Sequence, residues 1–361
     1  MRRLELFVAA CIIFTSLKST AAGMDRSTLR WIRSKPPIDS IAISGNKFFS
    51  NSKIKKQMYS RERTLWSAIK GDRRTRLQRE SQGRDTLEIK FLYLSNGFLG
   101  VQVLEKFEAV GKDSAALIKV IIDEGRQSFY GDKHIVGSFD RKFHHQFQKI
   151  TDRLKEQQPI NLFDLHQVSF DMKTILANQG YPYATVTFSV DTNSTDTLSP
   201  ITFHIEADSL VHFGDITIEG LQKYPEYTAR RELKVRKGEI YRRDAIIDSQ
   251  RRLFESGYFS TIRLTQAEQA TDRLNPDFIL IVRERKPIYI TVKTGAGQSK
   301  VRDLTWDFSA GFGKRNFLGS RRYDLLTQLS FSLGKESRLL NHNYQLRFTE
   351  PWFLGVRMPL T

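Results

Sequence analysis

The chain has 361 residues, 40% of them hydrophobic and 11% aromatic, and its 57 lysines and arginines outnumber its 40 aspartates and glutamates to give a formal net charge of +17. Such a composition is too rich in core-forming residues for a disordered chain, and the length suits several domains of about 100–200 residues each. The single cysteine, Cys11, excludes a disulfide framework, multi-cysteine zinc or iron–sulfur centres and dithiol redox chemistry, all of which need thiols in sets.

Residues 1–23 carry Arg2 and Arg3, an apolar run from Leu6 to Phe14 and a small-residue end, Ser19-Thr20-Ala21-Ala22-Gly23, which together predict a secretory signal peptide cleaved near Ala21 or Ala22. The apolar run is shorter than the roughly 20 residues that cross a hydrocarbon core, and no later run predicts a transmembrane helix. Positive charge attracts nucleic acid, anionic membranes and acidic proteins alike. Export removes nucleic acid from that set of partners.

Beyond the leader the chain repeats itself. Three segments close a helical run with glycine and an aromatic before a strand: Asn96-Gly97-Phe98, Gln179-Gly180-Tyr181 and Ser256-Gly257-Tyr258. Three others end a short strand in glycine: Ile41-Ala42-Ile43-Ser44-Gly45, His134-Ile135-Val136-Gly137 and Ile216-Thr217-Ile218-Glu219-Gly220. Similarity at a fixed spacing is the signature of one unit reused, and it predicts three modules over 37–124, 126–208 and 210–285. Each reads as strand, two helices and two strands, an α+β unit.

The first module inserts the basic stretch Lys70-Gly71-Asp72-Arg73-Arg74-Thr75-Arg76, read as a solvated helix start, and the second carries a sequon-like Asn193-Ser194-Thr195 that reads equally well as a hairpin loop. In the third, helices are expected near Thr228–Leu233 and over Arg243–Ser256. Ile246, Ile247, Gln250, Leu253 and Phe254 share one face of a 3.6-residue period in the second of these and are expected to cover the sheet. Arg230, Arg231, Arg242 and Arg243 crowd this module, either as solvated helix faces or as a patch for anionic lipid head groups, each worth about 1 kcal/mol near such a surface.

From 286 to 361 only strand alternation remains. Ile288, Ile290 and Val292, then Trp306, Phe308, Ala310 and Phe312, then Tyr323, Leu325, Thr327, Leu329, Phe331 and Leu333, then Tyr344, Leu346 and Phe348 define four runs with one apolar and one polar face. Their lengths suit tilted membrane strands of about nine to eleven residues, although a soluble antiparallel sandwich alternates in the same way. No His-Glu-x-x-His, nucleophile elbow or phosphate loop is present, and the adjacent His144 and His145 read as surface residues. No enzyme, cofactor or metal site is expected.

Within these strands Gly311-Phe312-Gly313-Lys314-Arg315-Asn316-Phe317-Leu318-Gly319-Ser320 and Phe348-Thr349-Glu350-Pro351-Trp352-Phe353-Leu354-Gly355 resemble the opening strands of the outer-membrane assembly barrels of the BamA/TamA family. The three modules resemble the periplasmic POTRA (polypeptide-transport-associated) units that precede such barrels, three rather than five being nearer the TamA-type branch. The resemblance marks Gly311, Gly313, Asn316, Phe317, Gly319, Glu350, Pro351, Trp352 and Phe353 as barrel-motif residues, and the strand bearing Ile288, Ile290, Val292, Gly295 and Gly297 as the lateral-gate strand.

It implies residence in the outer membrane with the modules in the periplasm. It also implies partners: unfolded outer-membrane proteins held by β-augmentation, periplasmic or lipoprotein accessory subunits, and outer-membrane lipid. The expected function is insertion of other barrel proteins by strand templating. A secretion pore for one dedicated substrate and a soluble periplasmic scaffold are the alternatives. Four strands are too few for a closed barrel, which needs about eight, so the sequence is expected to be a fragment or a truncated product.

Overall fold

The computed structural model describes residues 26–64, 69, 71–78, 81, 83–111, 115–192, 197–268, 272–298, 304–317, 321–332, 339–350, 352 and 357. The predicted signal peptide and Asn193–Thr195 of the sequon lie outside them. Contacts divide the chain into two compact units, Met1–Met172 with Val186–Ile205 and Lys173–Thr185 with Glu206–Thr361.

After helix α1 (Arg26–Arg33) come β1 (Ile38–Ser44), α2 (Asn51–Gln57), α3 (Arg84–Leu94), β2 (Gln102–Val110) and β3 (Ala115–Asp123). Strand β1 runs parallel and β2 antiparallel to the central β3, giving the order β1-β3-β2. The pattern recurs with β4 (Phe129–Ser138), α4 (His144–Thr151), α5 (Leu162–Ala177), β5 (Thr185–Val190) and β6 (Leu198–Glu206), in the order β4-β6-β5. It recurs again with β7 (Ile216–Glu219), α6 (Glu226–Arg230), α7 (Arg243–Glu255), β8 (Phe259–Gln266) and β9 (Phe278–Glu284), in the order β7-β9-β8. The α+β repeat read from the sequence is thus the observed fold.

Alternation builds each core. Ala116, Ile118, Val120 and Ile122 on β3, and Phe278, Leu280 and Val282 on β9, are all buried while Ile281 between them stays exposed. Each fully buried Val, Leu, Ile or Phe side chain contributes about 1.5–3 kcal/mol. Ile54 of α2 and Ile89 and Tyr93 of α3 close over the first sheet, and Ala245, Ile246 and Leu253 of α7 over the third.

Two sequence expectations need correction here. On α7 the buried face is Ala245, Ile246, Ser249 and Leu253, whereas Ile247 and Phe254 point outward at 51% and 57% exposure. The face is turned because Ser249, fully buried, is a connector rather than a wet residue: its hydroxyl donates to Ala245 O at 2.6 Å and accepts the Lys234 amide at 2.7 Å. Phe254 instead lies 5.4 Å beneath the Arg285 guanidinium. The basic stretch of the first module is likewise no helix start. Arg73–Thr75 form a single 3₁₀ turn capped by Asp72, Arg76 bridges to Pro37, and α3 begins only at Arg84; Lys70 lies outside the described residues.

The strand-ending glycines share one cause. Gly45, Gly137 and Gly220 adopt φ of +85°, +130° and +90°, and a Cβ on them would stand 2.0, 1.9 and 2.0 Å from the carbonyl oxygens of Ile122, Ile205 and Val282. Each central strand therefore presses its backbone against the end of the first strand, and only glycine leaves room.

Two residues beyond that carbonyl, the first and third modules place a glutamate. Glu124 accepts the Lys47 and Phe48 amides at 2.8 and 2.9 Å and the Tyr93 hydroxyl at 2.8 Å. Glu284 accepts the Gln222, Lys223 and Tyr224 amides at 2.8–3.0 Å. The second module has Ala207 at this place. Burial works against the Glu284 carboxylate, but the amides of Gln222, Tyr224 and Lys223 together outweigh it and hold its pKa below the ordinary carboxylate value. A native pKa below the unfolded one contributes stability that is complete above about pH 4.3 and is lost as pH falls through the native value. Thermal unfolding of the chain between pH 7 and pH 3 should therefore show an acid decline that is shallower in Glu284→Gln. Parallel pH curves for the two proteins would contradict this.

Candidate functional site

Arg285, Lys286 and Pro287 lead from the third module into four strands, β10 (Ile288–Gln298), β11 (Leu304–Phe317), β12 (Arg321–Ser332) and β13 (Leu339–Thr349). They are 11, 14, 12 and 11 residues long, enough to cross a membrane core when tilted. They pair antiparallel in chain order into one sheet, open at both edges among the described residues. No described helix is long and apolar enough to cross a membrane, which leaves crossing by strands untouched.

The register aligns the apolar positions. Ile290, Phe312, Leu325 and Leu346 form one row across the sheet; Val292, Ala310, Thr327 and Tyr344 form the next; Thr294, Phe308, Leu329 and His342 form a third. A row with Ile288, Lys314, Tyr323 and Phe348 flanks them on one side, and Ala296, Trp306 and Phe331 on the other. Five rows two residues apart, at about 3.4 Å per residue and a tilt near 40°, make a band roughly 21 Å tall, close to the apolar belt of about 25 Å on outer-membrane barrels. The band is open: Ile290 and Leu346 are 74% exposed, Tyr344 67% and Val292 63%. A sandwich would cover this face with a second sheet, and among the described residues none pairs or packs there. Leu333 lies outside the described residues.

The opposite face is polar and centred on Tyr289. Its ring lies across Gly313, where a Cβ would meet ring carbon Cζ at 2.4 Å, and its hydroxyl donates to Asp324 Oδ1. The Arg315 guanidinium sits 3.9 Å over the same ring, and Arg322 donates from Nε to Asp324 Oδ2 at 2.8 Å. The row Tyr289, Gly313, Asp324 and Arg347 thus ties β10 through β12 together, and the glycine is required by the aromatic ring above it.

Strand β10 pairs without interruption along β11 from Ile288 to Gln298, and its other edge has no partner among the described residues. Ile288, Ile290 and Val292 carry the apolar face along this edge. Gly295 has nothing near the position of a Cβ, and Gly297 has only Thr305 Oγ1 at 3.0 Å and Asp307 Oδ2 at 3.2 Å. Among the described residues, β10 is thus paired on one side only and borders an exposed apolar band.

The other motif residues scatter along the base of the sheet. Gly311 faces Thr291 and Leu326, and Phe317 packs edge-on to Tyr323. Glu350 accepts Arg321 Nε at 2.6 Å, and Trp352 donates from its indole to Glu232 at 2.7 Å. Asn316 lies in β11, its side chain outside the described residues, as are Gly319, Pro351 and Phe353.

Of the four candidate lipid-binding arginines, one leaves the surface. Arg230 pairs with Glu226 at 2.5 Å, and Arg242 and Arg243 open α7. Arg231 turns inward, its side chain only 18% exposed, with its guanidinium 5.3 Å over Trp352 and 5.6 Å over Tyr227. Its place in a lipid-facing patch is therefore withdrawn. Neither the Tyr289 and Asp324 pair nor buried Glu232 was singled out as a site residue in the sequence. Only the strand register brings the first pair together, and only the chain's return after β13 reaches the second.

A family model described as "POTRA: Surface antigen variable number repeat" matches residues 211–295, which run from just before β7 into β10. The chain is 22% identical to outer membrane protein assembly factor BamA of Neisseria meningitidis over 88% of its own length and 38% of the relative's. It is 21% identical to BamA of Neorickettsia risticii over 86% of its own length and 40% of the relative's. It thus spans about two fifths of these curated relatives. Among solved structures, the crystal structure of Haemophilus influenzae BamA POTRA3-5 matches with a TM-score of 0.56 at 20% identity, covering 69% of this chain and 96% of that one. BamA from Haemophilus ducreyi lacking POTRA domains 1-3 matches with a TM-score of 0.51 at 21% identity, covering 64% of this chain and 41% of that one. At these identities the structural likeness is one of fold.

Proposed function

We propose, from the premise that this chain belongs to the BamA-like family of POTRA-containing proteins, that it provides the receiving modules and first membrane strands of an outer-membrane assembly factor. In this reading the α+β modules stand in the periplasm and β10–β13 stand in the outer membrane with the apolar rows toward lipid. The open edge of β10 takes the incoming strand of an unfolded barrel protein. The reading involves no cofactor and no covalent step.

The observation that carries it is the exposed apolar band bordered by β10, a strand paired on one side only among the described residues. A nascent strand entering hydrocarbon exposes backbone groups that cost several kcal/mol each until they are paired. An edge already in the membrane supplies those partners through main-chain bonds that demand no particular sequence. Ile288, Ile290 and Val292 would continue the lipid-facing stripe beside the guest, while Gly295 and Gly297 leave the far end of the edge free of bulk.

The test is disulfide capture in outer membranes of cells carrying the full-length protein with Ile290→Cys, and a barrel-protein client bearing one cysteine in its last strand. Capture is expected at Ile290→Cys and not at Leu325→Cys, because β12 is paired on both sides. Equal capture at both positions, or none at Ile290→Cys, would overturn the templating reading.

A further inference from the structure

Residues 26–78 hold fourteen lysines and arginines against three acidic residues, a net +11 out of +17 for the whole chain. The function proposed above makes no use of this charge. Two short segments of the first module that follow α2 bring part of it to one place. The Arg63 amide donates to Ile38 O, the Leu77 amide to Pro36 O and the Arg61 amide to Arg74 O, each at 2.9 Å. The segments therefore lie side by side beside the start of β1. Ser60, Thr75 and Leu77 are buried and fix this frame, while Lys35, Arg63, Arg73, Arg74 and Arg76 stand exposed on it.

The charges are not neutralised where they stand. Arg74 pairs with Asp72 at 2.8 Å and Lys55 with Glu62 at 2.6 Å. Arg61 instead donates to the Lys55 and Lys56 carbonyls near the end of α2, and Arg76 donates from Nη1 to Lys35 O at 3.2 Å. Carbonyls leave a guanidinium its full charge. Lys35, Arg61, Arg63, Arg73 and Arg76 thus have no ion-pair partner among the described residues. Like charges held on adjacent segments repel, and the compact state carries that cost until an anionic partner removes it.

The carboxylates already seated in the patch identify the anion it takes. Glu62 accepts the Ile41 amide at 2.9 Å together with the Lys55 ammonium, and Asp72 accepts Nε and Nη2 of Arg74 in a fork at 3.1 and 2.8 Å. Arg74 holds the Asp72 carboxyl below its ordinary pKa, and Arg61 adds its field. Both carboxylates belong to irregular chain lying along the module, so the surface is matched to acidic side chains on a polypeptide.

We propose that Lys35, Arg61, Arg63, Arg73 and Arg76 form a docking surface on the first module for an acidic polypeptide segment, whose carboxylates take the cations that Glu62 and Asp72 leave unpaired. The surface lies wholly within the first module and does not depend on strand templating.

The experiment is fluorescence anisotropy of a labelled peptide of alternating glutamate and serine, titrated with the full-length protein in a neutral detergent. Arg63→Glu with Arg73→Glu should weaken binding about tenfold, because each reversal replaces an attraction by a repulsion. Lys149→Glu with Lys155→Glu, exposed in the second module and equal in charge change, should bind as the parent does. If the first pair folds poorly, Arg63→Gln with Arg73→Gln carries the test and should give a smaller loss in the same direction. Parent-like binding by the patch variants would overturn the docking surface, as would equal losses in the two modules, which net charge alone would explain. Vesicles of phosphatidylglycerol are the second probe: vesicle binding lost in the patch variants while peptide binding stays intact would assign the patch to lipid and overturn the acidic-segment reading.

Discussion

Gly220→Ala is expected to destabilise the third module by about 3–5 kcal/mol, most of it from a collision rather than from backbone preference. The methyl group would arrive 2.0 Å from the carbonyl oxygen of Val282, well inside contact distance, at a residue whose φ is +90°. Relief requires β7 to move off β9, and β7 has only four residues with which to hold its place. Gly238→Ala supplies the control. Its φ is +80°, but nothing lies within 4 Å of the added carbon, so it should cost only the left-handed strain of about 1 kcal/mol. Denaturant unfolding of the two variants separates the terms. Similar losses for both would show that conformation alone explains the glycine and that the close approach contributes nothing. Gly45 and Gly137 face the same carbonyl geometry, so the result should transfer to the first two modules.

The same glycines explain how much of the fold was legible in the sequence. Strand-ending and helix-ending glycines recur because a backbone contact and a positive φ recur, and both leave an unambiguous residue type behind. The repeat and the four alternating strands could be read for that reason. The α7 face could not. Ser249 counts as polar in any periodicity, yet it is fully buried because its hydroxyl serves the Lys234 amide and a helix carbonyl.

Counting Ile247 and Phe254 as core shifted the face by about 100°, the turn per residue of a helix. Arg231 misled in the opposite sense: one arginine among several reads as solvated, and nothing local signals an indole 121 residues later. The Tyr289 and Asp324 contact is hidden in the same way. Alternation puts each on the polar face, but only the register places Gly313 between them and lets the ring cross. Local chemistry was legible, and contacts made by long returns of the chain were not.

The apolar band decides between a membrane sheet and a soluble one, and Val292→Arg puts the question with the greatest leverage. Val292 belongs to the middle row of the five and is 63% exposed, with Ala310, Thr327 and Tyr344 as row neighbours. In water an exposed valine exchanged for arginine on a sheet face changes stability by no more than about 0.5 kcal/mol. At the midplane of a bilayer the same arginine costs about 2–4 kcal/mol, because no water reaches the guanidinium and the side chain must bend toward a distant interface. Lys293→Arg, on the polar face one residue away, should be neutral in either setting. The measurement is unfolding of the full-length protein from lipid vesicles, or its yield in washed outer membranes. A loss at Val292→Arg, larger than for Ile288→Arg at the band's edge and absent for Lys293→Arg, places the row in hydrocarbon. Equal and small effects at all three positions would place the sheet in water, and with it would fall the reason for β10 to keep an open edge beside an apolar face.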